Sequence, residues 1–228
     1  MNNLGKRIKE NYEHRNRYYL IKRMPVIIRL DGKAFHTFTA KLNKPFDTSL
    51  IENMVFSATN VLNSIQGAKC AYVQSDEVSI LMTDYDTFET CGWYDYNKSK
   101  IESVSASIMT AYFNKGQIFP GLAFFDSRAF NIPREEVVNY FLWRAKDWER
   151  NSVSMYCNSV YSQKEMHKKS KTDQHEMLYK KGLNWTTDLS DQIKNGTFIF
   201  PDGQYTGIKP VYEEIANFLN PLIYCDKK

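Results

Sequence analysis

Two short acidic segments stand at the ends of apolar runs, where side chains are free to do chemistry. Asp31-Gly32 directly follows the β-branched run PVIIRL, and Asp76-Glu77 separate the runs CAYVQS and VSILM. Carboxylates without a nearby His or Cys favour a hard cation, so Mg²⁺ is the expected ion. A pair of such ions suits phosphoryl or nucleotidyl transfer. The alternative is a pair of ordinary turns, because Asp-Gly is a common hairpin dipeptide.

The elements that would position these acids follow the order β-α-β-β-α-β. Apolar runs predict strands at residues 25–30, 70–75, 78–82 and 121–130, and apolar helical faces predict helices near 49–65 and 101–112. In this ferredoxin-like split unit the third strand lies antiparallel between the first two, which are parallel. Asp31 and Asp76 should therefore lie on one edge, about 4.8 Å apart, the spacing of neighbouring strands. Two carboxylates that close raise each other's pKa unless a cation lies between them.

Other residues near this edge could hold phosphates. The segment Gly32–His36 could turn its amide groups toward an anion, although it lacks the GxxxxGK[ST] pattern of a P-loop. Lys44 and Lys100 are expected on segments that flank the same edge. Each has an ordinary alternative, because a lone histidine such as His36 is usually packed or at the surface, and isolated lysines are usually solvated.

Composition places the chain among globular proteins. Of 228 residues, 43% are hydrophobic and 14% aromatic, which is too apolar for a disordered chain. No apolar run approaches the roughly 18–20 residues of a membrane span. The 30 basic residues exceed the 26 acidic ones, and two segments are rich in them, 6–23 with seven and 164–181 with six. Such clusters favour a nucleic-acid partner, but they also occur on solvated faces.

The remaining features concern compartment and organisation. The four cysteines Cys70, Cys91, Cys157 and Cys225 have no disulfide or metal-ligand spacing, and the charged first twenty residues do not resemble a secretory signal. We therefore expect a cytoplasmic protein that is not associated with a membrane. Pro133 marks an expected boundary near residue 132, between a compact sheet unit and a basic, helical part.

Four segments carry a resemblance to a known family. They are RLDGKAFHTF (29–38), NKPFD (43–47), QSDEVS (74–79) and NYFLWRAKDWERNS (139–152). In this order and spacing they resemble the tRNAHis guanylyltransferase family, in particular its bacterial and phage guanylyltransferase-like branch. The resemblance implies an α+β fold. Residues 1–132 would form a polymerase-type catalytic palm with an N-terminal helix, its antiparallel sheet carrying helices on one face. Residues 133–228 would form a basic, mainly helical tRNA-binding part.

The resemblance also implies roles for individual residues. The expected catalytic acids are Asp31, Asp76 and Glu77, and the expected ligands of two Mg²⁺ ions are Asp31, Asp76 and the Gly32 carbonyl. The residues implied to bind the nucleotide are Asp31, Gly32, Lys33, Ala34, Phe35, His36, Lys44, Ser75, Asp76, Asn97 and Lys100. The residues implied to bind tRNA are Arg144, Asp147, Arg150 and Asn151. For the adjacent Trp143, internal packing is the favoured interpretation.

The implied reaction is 3′-to-5′ nucleotide addition to tRNA by a homotetramer, with ATP activating the RNA end and GTP or another nucleotide being added. The sequence departs from the family at Asn97, where Arg is usual, and at 149–152, where Glu-Arg-Asn-Ser replaces the eukaryotic His-Ile-Asn-Asn. Template-directed repair of 5′-truncated tRNA is therefore expected, with strict addition of one guanylate to tRNAHis as the alternative. A nucleotidyl cyclase on the same palm and a catalytically silent tRNA-binding module are the alternatives from other classes.

Overall fold

The computed structural model describes residues 3–224, and strands within this range form one antiparallel sheet. The strands are β1 (Val26–Gly32), β2 (Ala68–Gln74), β3 (Glu77–Met82), β4 (Phe125–Asn131), β5 (Thr197–Phe200) and β6 (Gly203–Tyr205). Their order across the sheet is β4-β1-β3-β2-β5-β6. Cys225 lies outside the described residues.

Helices connect these strands and cover the sheet. They are α1 (Asn3–Ile8), α2 (Phe35–Phe38), α3 (Thr48–Ser64), α4 (Lys98–Lys115), α5 (Arg134–Asn158), α6 (Gln163–Met166), α7 (Lys171–Lys180), α8 (Trp185–Asp188), α9 (Asp191–Asn195) and α10 (Tyr212–Ile223). After α1 the chain continues through a π-helical turn, Lys9–Glu13, and a 3₁₀ turn, His14–Asn16. Within residues 3–224, no helix combines the length and the apolar composition needed to cross a membrane.

The first four strands confirm the predicted β-α-β-β-α-β unit. β3 pairs antiparallel with both β1 and β2, so β1 and β2 run parallel to each other on either side of it. β4 pairs antiparallel with the other side of β1. In this register Asp31 lies opposite Glu77 on β3 and opposite Asp126 on β4. The predicted meeting of the two acidic segments at one edge of the sheet is therefore confirmed.

Apolar side chains alternate along the strands and form a core on each face of the sheet. On one face, Ile28 of β1 belongs to a buried cluster with Val61 of α3 and Met109 of α4. This face carries the two helices of the predicted unit. The next residue toward the N-terminus, Ile27, belongs to a second buried cluster with Phe141 of α5 and residues of α10. Both faces of the sheet are thus covered by helices.

The chain after residue 132 is mainly helical, as predicted, but it also extends the sheet. β5 pairs antiparallel with β2, and β6 pairs with β5. α7 and α8 pack on the C-terminal half of α5 through Val153, Leu178 and Trp185. The expected boundary falls in the connection between β4 and α5, and the chain on both sides of it contributes strands to one sheet.

Candidate active site

Asp31 and Asp76 lie in adjacent backbone segments at one edge of the sheet. Asp31 is near the end of β1, and Asp76 lies in the two-residue turn between β2 and β3. The Gly32 amide donates a hydrogen bond to the Asp76 carbonyl at 3.1 Å. Ser75, also in this turn, has φ of 47°, a left-handed conformation that is costly for a residue with a side chain and is frequent at functional sites.

Both aspartates line a polar cavity of about 360 Å³ between this edge and the C-terminal half of α5. The other polar residues in its walls are Gln74, Ser75, Glu77, Arg144, Asn151, Ser154 and Asn158. A cavity with carboxylates at one end and neutral polar side chains along its wall suits a polar, hydrogen-bonding ligand better than an apolar one.

The surroundings of Asp76 disfavour its charged form. Burial is the largest cause that raises the pKa of the Asp76 carboxyl, and the negative charges of Asp31 and Glu77 raise it further. A hydrogen bond with Ser75 acts in the opposite direction and lowers this pKa. A bound cation would offset the penalty, because it compensates the charge on both aspartates.

The donor set at this edge fits a hard divalent cation. Asp31 and Asp76 supply carboxylate oxygens and Gly32 supplies a backbone carbonyl, all of them ligand types of Mg²⁺. Among residues 3–224, no group of three or more His, Cys, Asp and Glu side chains is arranged to hold a metal ion. Mg²⁺ typically uses one or two carboxylates and completes its coordination with water and substrate phosphates. The observed donors match that pattern.

The third expected acid, Glu77, lies in a buried ion-pair network. Its carboxylate accepts hydrogen bonds from Arg144 Nε at 2.7 Å and from Arg144 Nη2 at 2.8 Å. Arg29 Nη2 lies 2.6 Å from Glu77 Oε2. Glu77 is only 5% exposed. Both of its oxygens are committed to guanidinium groups, so Glu77 ties β3 to β1 and α5 and does not present a free carboxylate.

A further carboxylate lies beside Asp31. Asp126 on β4 is its cross-strand partner, so the two side chains are on the same face of the sheet. The Asp126 side chain is exposed, and its Oδ1 lies 3.8 Å from Arg128 Nη2. The sequence predicts the strand that contains Asp126 but gives no register against β1. A strand order with the fourth strand next to the first would have indicated that Asp126 lies beside Asp31.

The segment after β1 leaves amide groups without protein acceptors. The Lys33 amide donates to the Phe124 carbonyl at 2.8 Å, whereas the amides of Ala34, Phe35 and His36 donate to no protein acceptor in the described part of the chain. Ala34 has φ of 55° and precedes α2, whose first amides have no partner within the helix. These three amides are free for an anion, and Lys33 is not.

An apolar cavity adjoins the acidic edge on the side of α3. Its volume is about 360 Å³, and its walls include Leu42, Phe46, Leu50, Met54 and Val55. The residues shared with the polar cavity are Gln74, Ser75, Asp76, Trp148 and Met155. Ligand pockets that are mostly apolar with a few polar groups are typical of sites for flat organic rings such as nucleobases. Asp76 therefore lies where two cavities of different character meet.

The loop that carries Lys44 is fixed to the start of α3. The Asp47 carboxylate accepts hydrogen bonds from the Leu50 amide at 3.0 Å and from the Asn43 amide at 3.1 Å. Lys44 Nζ donates to the Thr39 carbonyl at 3.0 Å. Lys44 lines the apolar cavity, so the loop places this basic residue at the cavity wall.

Asn97 and Lys100 lie at the opposite edge of the sheet, so the expectation that Lys100 flanks the acidic edge is wrong. β3 runs away from Asp76, and the chain that follows it begins α4 at the far edge. Thr110 of α4 accepts a hydrogen bond from the Phe125 amide at 3.3 Å, near the acidic edge. Lys100 precedes Thr110 by ten residues, or about 15 Å along a helix. Neither Asn97 nor Lys100 lines the two cavities described here.

The residues implied to bind tRNA have different surroundings on α5. Arg144 is buried against Glu77, so it is not available at the surface. Asp147 accepts from Arg144 at 3.1 Å and pairs with Arg150. Asn151 donates to Asp147 at 3.4 Å and lines the polar cavity. Arg150 and Asn151 are therefore exposed at the surface, and Arg144 is part of the ion-pair network.

Comparison with known proteins identifies the family of this chain. The sequence profile described as tRNAHis guanylyltransferase matches residues 5–133. The chain belongs to the tRNAHis guanylyltransferase family. A bacterial tRNA(His) guanylyltransferase-like protein solved in complex with ATP has a TM-score of 0.90 and 38% identity, over 97% of this chain and 99% of that one. Another such structure, in complex with GTP, has a TM-score of 0.84 and 36% identity, with the same coverage.

Sequence relatives lead to the same family. The tRNA(His) guanylyltransferase of Debaryomyces hansenii is 26% identical over 220 residues, which are 86% of this chain and 80% of that protein. This guanylyltransferase-family protein is therefore an enzyme, a nucleotidyltransferase, and the resemblance and the palm-like fold inferred from its sequence are confirmed.

Proposed function

We propose that this enzyme adds nucleotides to the 5′ end of tRNA in the 3′-to-5′ direction, chiefly as template-directed repair of 5′-truncated tRNA. The observation that supports it best is the meeting of Asp31 and Asp76 in a polar cavity, which shares Asp76 with an adjoining apolar cavity. Two substrates can lie side by side there with their phosphates at the shared wall. The proposed nucleotides are ATP and GTP, as in the bacterial relatives, and the proposed assembly is a homotetramer.

The proposed reaction has two transfers. In the first, an oxygen of the RNA 5′-monophosphate attacks the α-phosphorus of ATP, a phosphoanhydride bond forms and pyrophosphate leaves. In the second, the 3′-hydroxyl of the incoming nucleoside triphosphate attacks the 5′-phosphorus of the adenylylated RNA. AMP leaves, the hydroxyl proton passes to solvent, and the added nucleotide keeps its own 5′-triphosphate.

Residues of the chain bind and orient these reactants. Asp31, Asp76 and the Gly32 carbonyl would hold two Mg²⁺ ions, which supply positive charge for the phosphates and lower the pKa of the attacking hydroxyl. The apolar cavity binds the base and excludes water. The amides at 34–36 donate to phosphate oxygens, and Lys44 neutralises part of their charge. Holding the reacting groups in this way accounts for much of the acceleration in such transfers.

The surroundings of Glu149 support repair over strict selection of tRNAHis. Glu149 stands where eukaryotic members carry the histidine of His-Ile-Asn-Asn. Its Oε2 lies 2.7 Å from Lys171 Nζ, so the side chain is engaged in an ion pair between α5 and α7. A carboxylate in an internal ion pair is poorly suited to reading a nucleobase that a histidine would read.

The test is an extension assay with two 5′-truncated tRNAs, one specific for histidine and one not. With ATP, GTP and Mg²⁺, both RNAs should lengthen at the 5′ end at similar rates. Extension of the histidine-specific tRNA alone would contradict repair and would support strict addition of a guanylate to tRNAHis. Failure to extend either RNA, with a known family member active in parallel, would refute the proposal.

Variants of the acid pair test the site itself. Asp31→Asn and Asp76→Asn should each reduce extension by at least about a thousandfold, because each removes a charge that holds the cation. Asp86→Asn, at an exposed carboxylate that pairs with Lys69, is the matched control and should extend normally. Cyclic nucleotide formed from ATP or GTP without RNA would indicate a cyclase. RNA binding without any Mg²⁺-dependent product would indicate a silent binding module.

A further inference from the structure

We propose that Trp143, Lys146 and Arg150 form a stacking platform on α5 for an unpaired base of the RNA substrate. This inference rests on the proposed function, because it assumes that RNA is the substrate. What it assigns in addition is the surface of the protein that holds the unpaired strand. The packing interpretation of Trp143 made from the sequence is wrong, because the ring is open to solvent.

Trp143 differs from the other tryptophans in its exposure. All four lie within the described residues, and Trp93, Trp148 and Trp185 are buried, whereas Trp143 is 54% exposed. An indole ring has a large apolar surface, and exposed aromatic rings of this size are enriched at binding surfaces. The exposed ring therefore needs a partner that offers a flat apolar face.

The ring is held firmly from beneath. The Arg144 guanidinium carbon lies 4.5 Å from the Trp143 ring centroid, and the Tyr140 ring lies at 5.9 Å with an interplanar angle of 69°. β3 fixes both supports, Arg144 through Glu77 and the Tyr140 hydroxyl through Ser79 Oγ at 2.9 Å. A ring braced in this way loses little conformational freedom when it binds.

The position of Arg144 restricts the face of the indole on which a ligand can stack. Arg144 is buried and lies over one face of the ring, so a base would have to stack on the opposite face. A base stacked on that face would complete a sandwich of guanidinium, indole and base. Cation–π attraction and base stacking both stabilise such an arrangement.

Two basic side chains lie on the same side of α5 as Trp143. Lys146 and Arg150 follow Trp143 at spacings of three and seven residues, which place all three side chains on one side of the helix. Both cations are exposed, and Arg150 shares Asp147 with the buried Arg144. Aromatic rings beside positive charge are the combination that binds single-stranded nucleic acid, because bases stack on the rings and the cations neutralise phosphates.

The platform lies next to the acidic edge. Arg144, directly beneath the ring, lines the polar cavity together with Asp31 and Asp76. A 5′-truncated RNA leaves nucleotides of its other strand without partners just beyond its 5′ end. With that 5′ end in the polar cavity, the unpaired bases lie within reach of the ring. The proposed ligand is thus an unpaired base of the strand that serves as template.

Tryptophan fluorescence tests the platform directly, because Trp143 is exposed whereas the other three tryptophans are buried. An RNA duplex with a recessed 5′ end, added without nucleotide or Mg²⁺, should quench Trp143 emission and protect it from acrylamide. Trp143→Phe should remove this signal change. A blunt duplex with the same number of base pairs should leave the emission unchanged. Equal quenching by both RNAs would overturn the platform.

Affinity provides a second measurement. Trp143→Ala should weaken binding of the recessed duplex about 5- to 150-fold, the range for loss of one base stack, and leave the blunt duplex unaffected. Lys146→Ala should weaken both RNAs and reduce the salt dependence of binding. Phe88→Ala, which removes an even more exposed ring elsewhere, is the control and should bind normally. Wild-type affinity in a folded Trp143→Ala protein would overturn the proposal.

The extension assay on the same RNAs separates this inference from the proposed function. If the wild-type enzyme extends the recessed RNA and Trp143→Ala binds and extends it equally well, the platform is wrong and the function stands. If the wild type neither binds nor extends RNA, both are wrong. A concentration-dependent blue shift of Trp143 emission without RNA would show that a second copy covers the ring, which also overturns the platform.

Discussion

Asp76 and Glu77 are adjacent in the chain, but their carboxylates have different electrostatic surroundings. Burial raises the pKa of Asp76, and nearby negative charges add to this effect. Glu77 is more deeply buried than Asp76, but Arg29 and Arg144 compensate its charge. The turn ends between them, so Asp76 lines both cavities, while Glu77 begins β3 beneath α5 and lines only the polar one. Of these two carboxylates, Asp76 is therefore the one available to bind a cation.

Removing the Asp76 charge should stabilise the metal-free protein. The pKa of the Asp76 carboxyl is raised in the folded state. Between the pKa of the unfolded chain and that of the folded protein, the folded protein holds a proton that the unfolded chain has lost. Stability therefore falls as pH rises through this interval. In EDTA at neutral pH, Asp76→Asn should therefore melt above wild type, and the gain should vanish as pH falls below the ordinary aspartate range. Scanning fluorimetry provides the measurement, with Asp86→Asn as control. A lower melting temperature for Asp76→Asn at neutral pH would contradict this.

The Glu77 network predicts the opposite effect. Glu77→Gln should destabilise the protein by about 3–5 kcal/mol, because it leaves buried guanidinium groups without a counter-charge. Urea unfolding followed by circular dichroism measures the change. The matched control is Asp126→Asn, which alters an exposed carboxylate on the neighbouring strand and should stay within about 0.5 kcal/mol of wild type. Equal stability of the two variants would refute a structural role for Glu77.

At the scale of elements, the sequence predicts best where apolar patterns are long. β1 and β3 are continuous apolar runs, and the order of elements then brings Asp31 and Asp76 to one edge. β5 is missed because the TFIF segment (197–200) is only four residues long and pairs with β2, more than 120 residues earlier. The placement of Lys100 is wrong for a different reason. Because β3 leads away from Asp76, the helix after it must begin at the far edge.

The left-handed residue before α2 provides a prediction at this scale. Ala34 has φ of 55° and ψ of 35°, a conformation in which a Cβ is unfavourable and glycine is not. Ala34→Gly should therefore stabilise the protein by about 1 kcal/mol. The same substitution at Ala111, an exposed position inside α4, should destabilise it by about 1 kcal/mol. Urea unfolding of both variants measures the two changes in the free energy of unfolding. Changes of the same sign would exclude the left-handed conformation at Ala34.

At the scale of the whole molecule, one sheet joins two hydrophobic cores. The cluster with α3 and α4 and the cluster with α5 and α10 lie on opposite faces of the same strands. Strands from both sides of residue 132 hydrogen-bond to one another through β2 and β5. A sequence boundary at that point therefore does not separate two independently packed units.

This shared sheet predicts cooperative unfolding. Ile215→Ala, in the fully buried part of α10, should lower the free energy of unfolding by about 2–5 kcal/mol. Far-ultraviolet circular dichroism and tryptophan fluorescence should report a single shifted transition, because Trp93 lies in the other core and the strands couple the two. Val211→Ala, at an exposed site just before α10, should have little effect. Two separate transitions would show that the cores unfold independently.

The outer strands of the sheet have a consequence for behaviour at high concentration. One border is β6, which has only three residues, and the other is β4, whose exposed side chains include Asp126 and Arg128. Very short border strands and charged residues on a border both discourage a strand of another molecule from joining. Crowded solutions of this protein should accordingly resist fibril formation through its folded state.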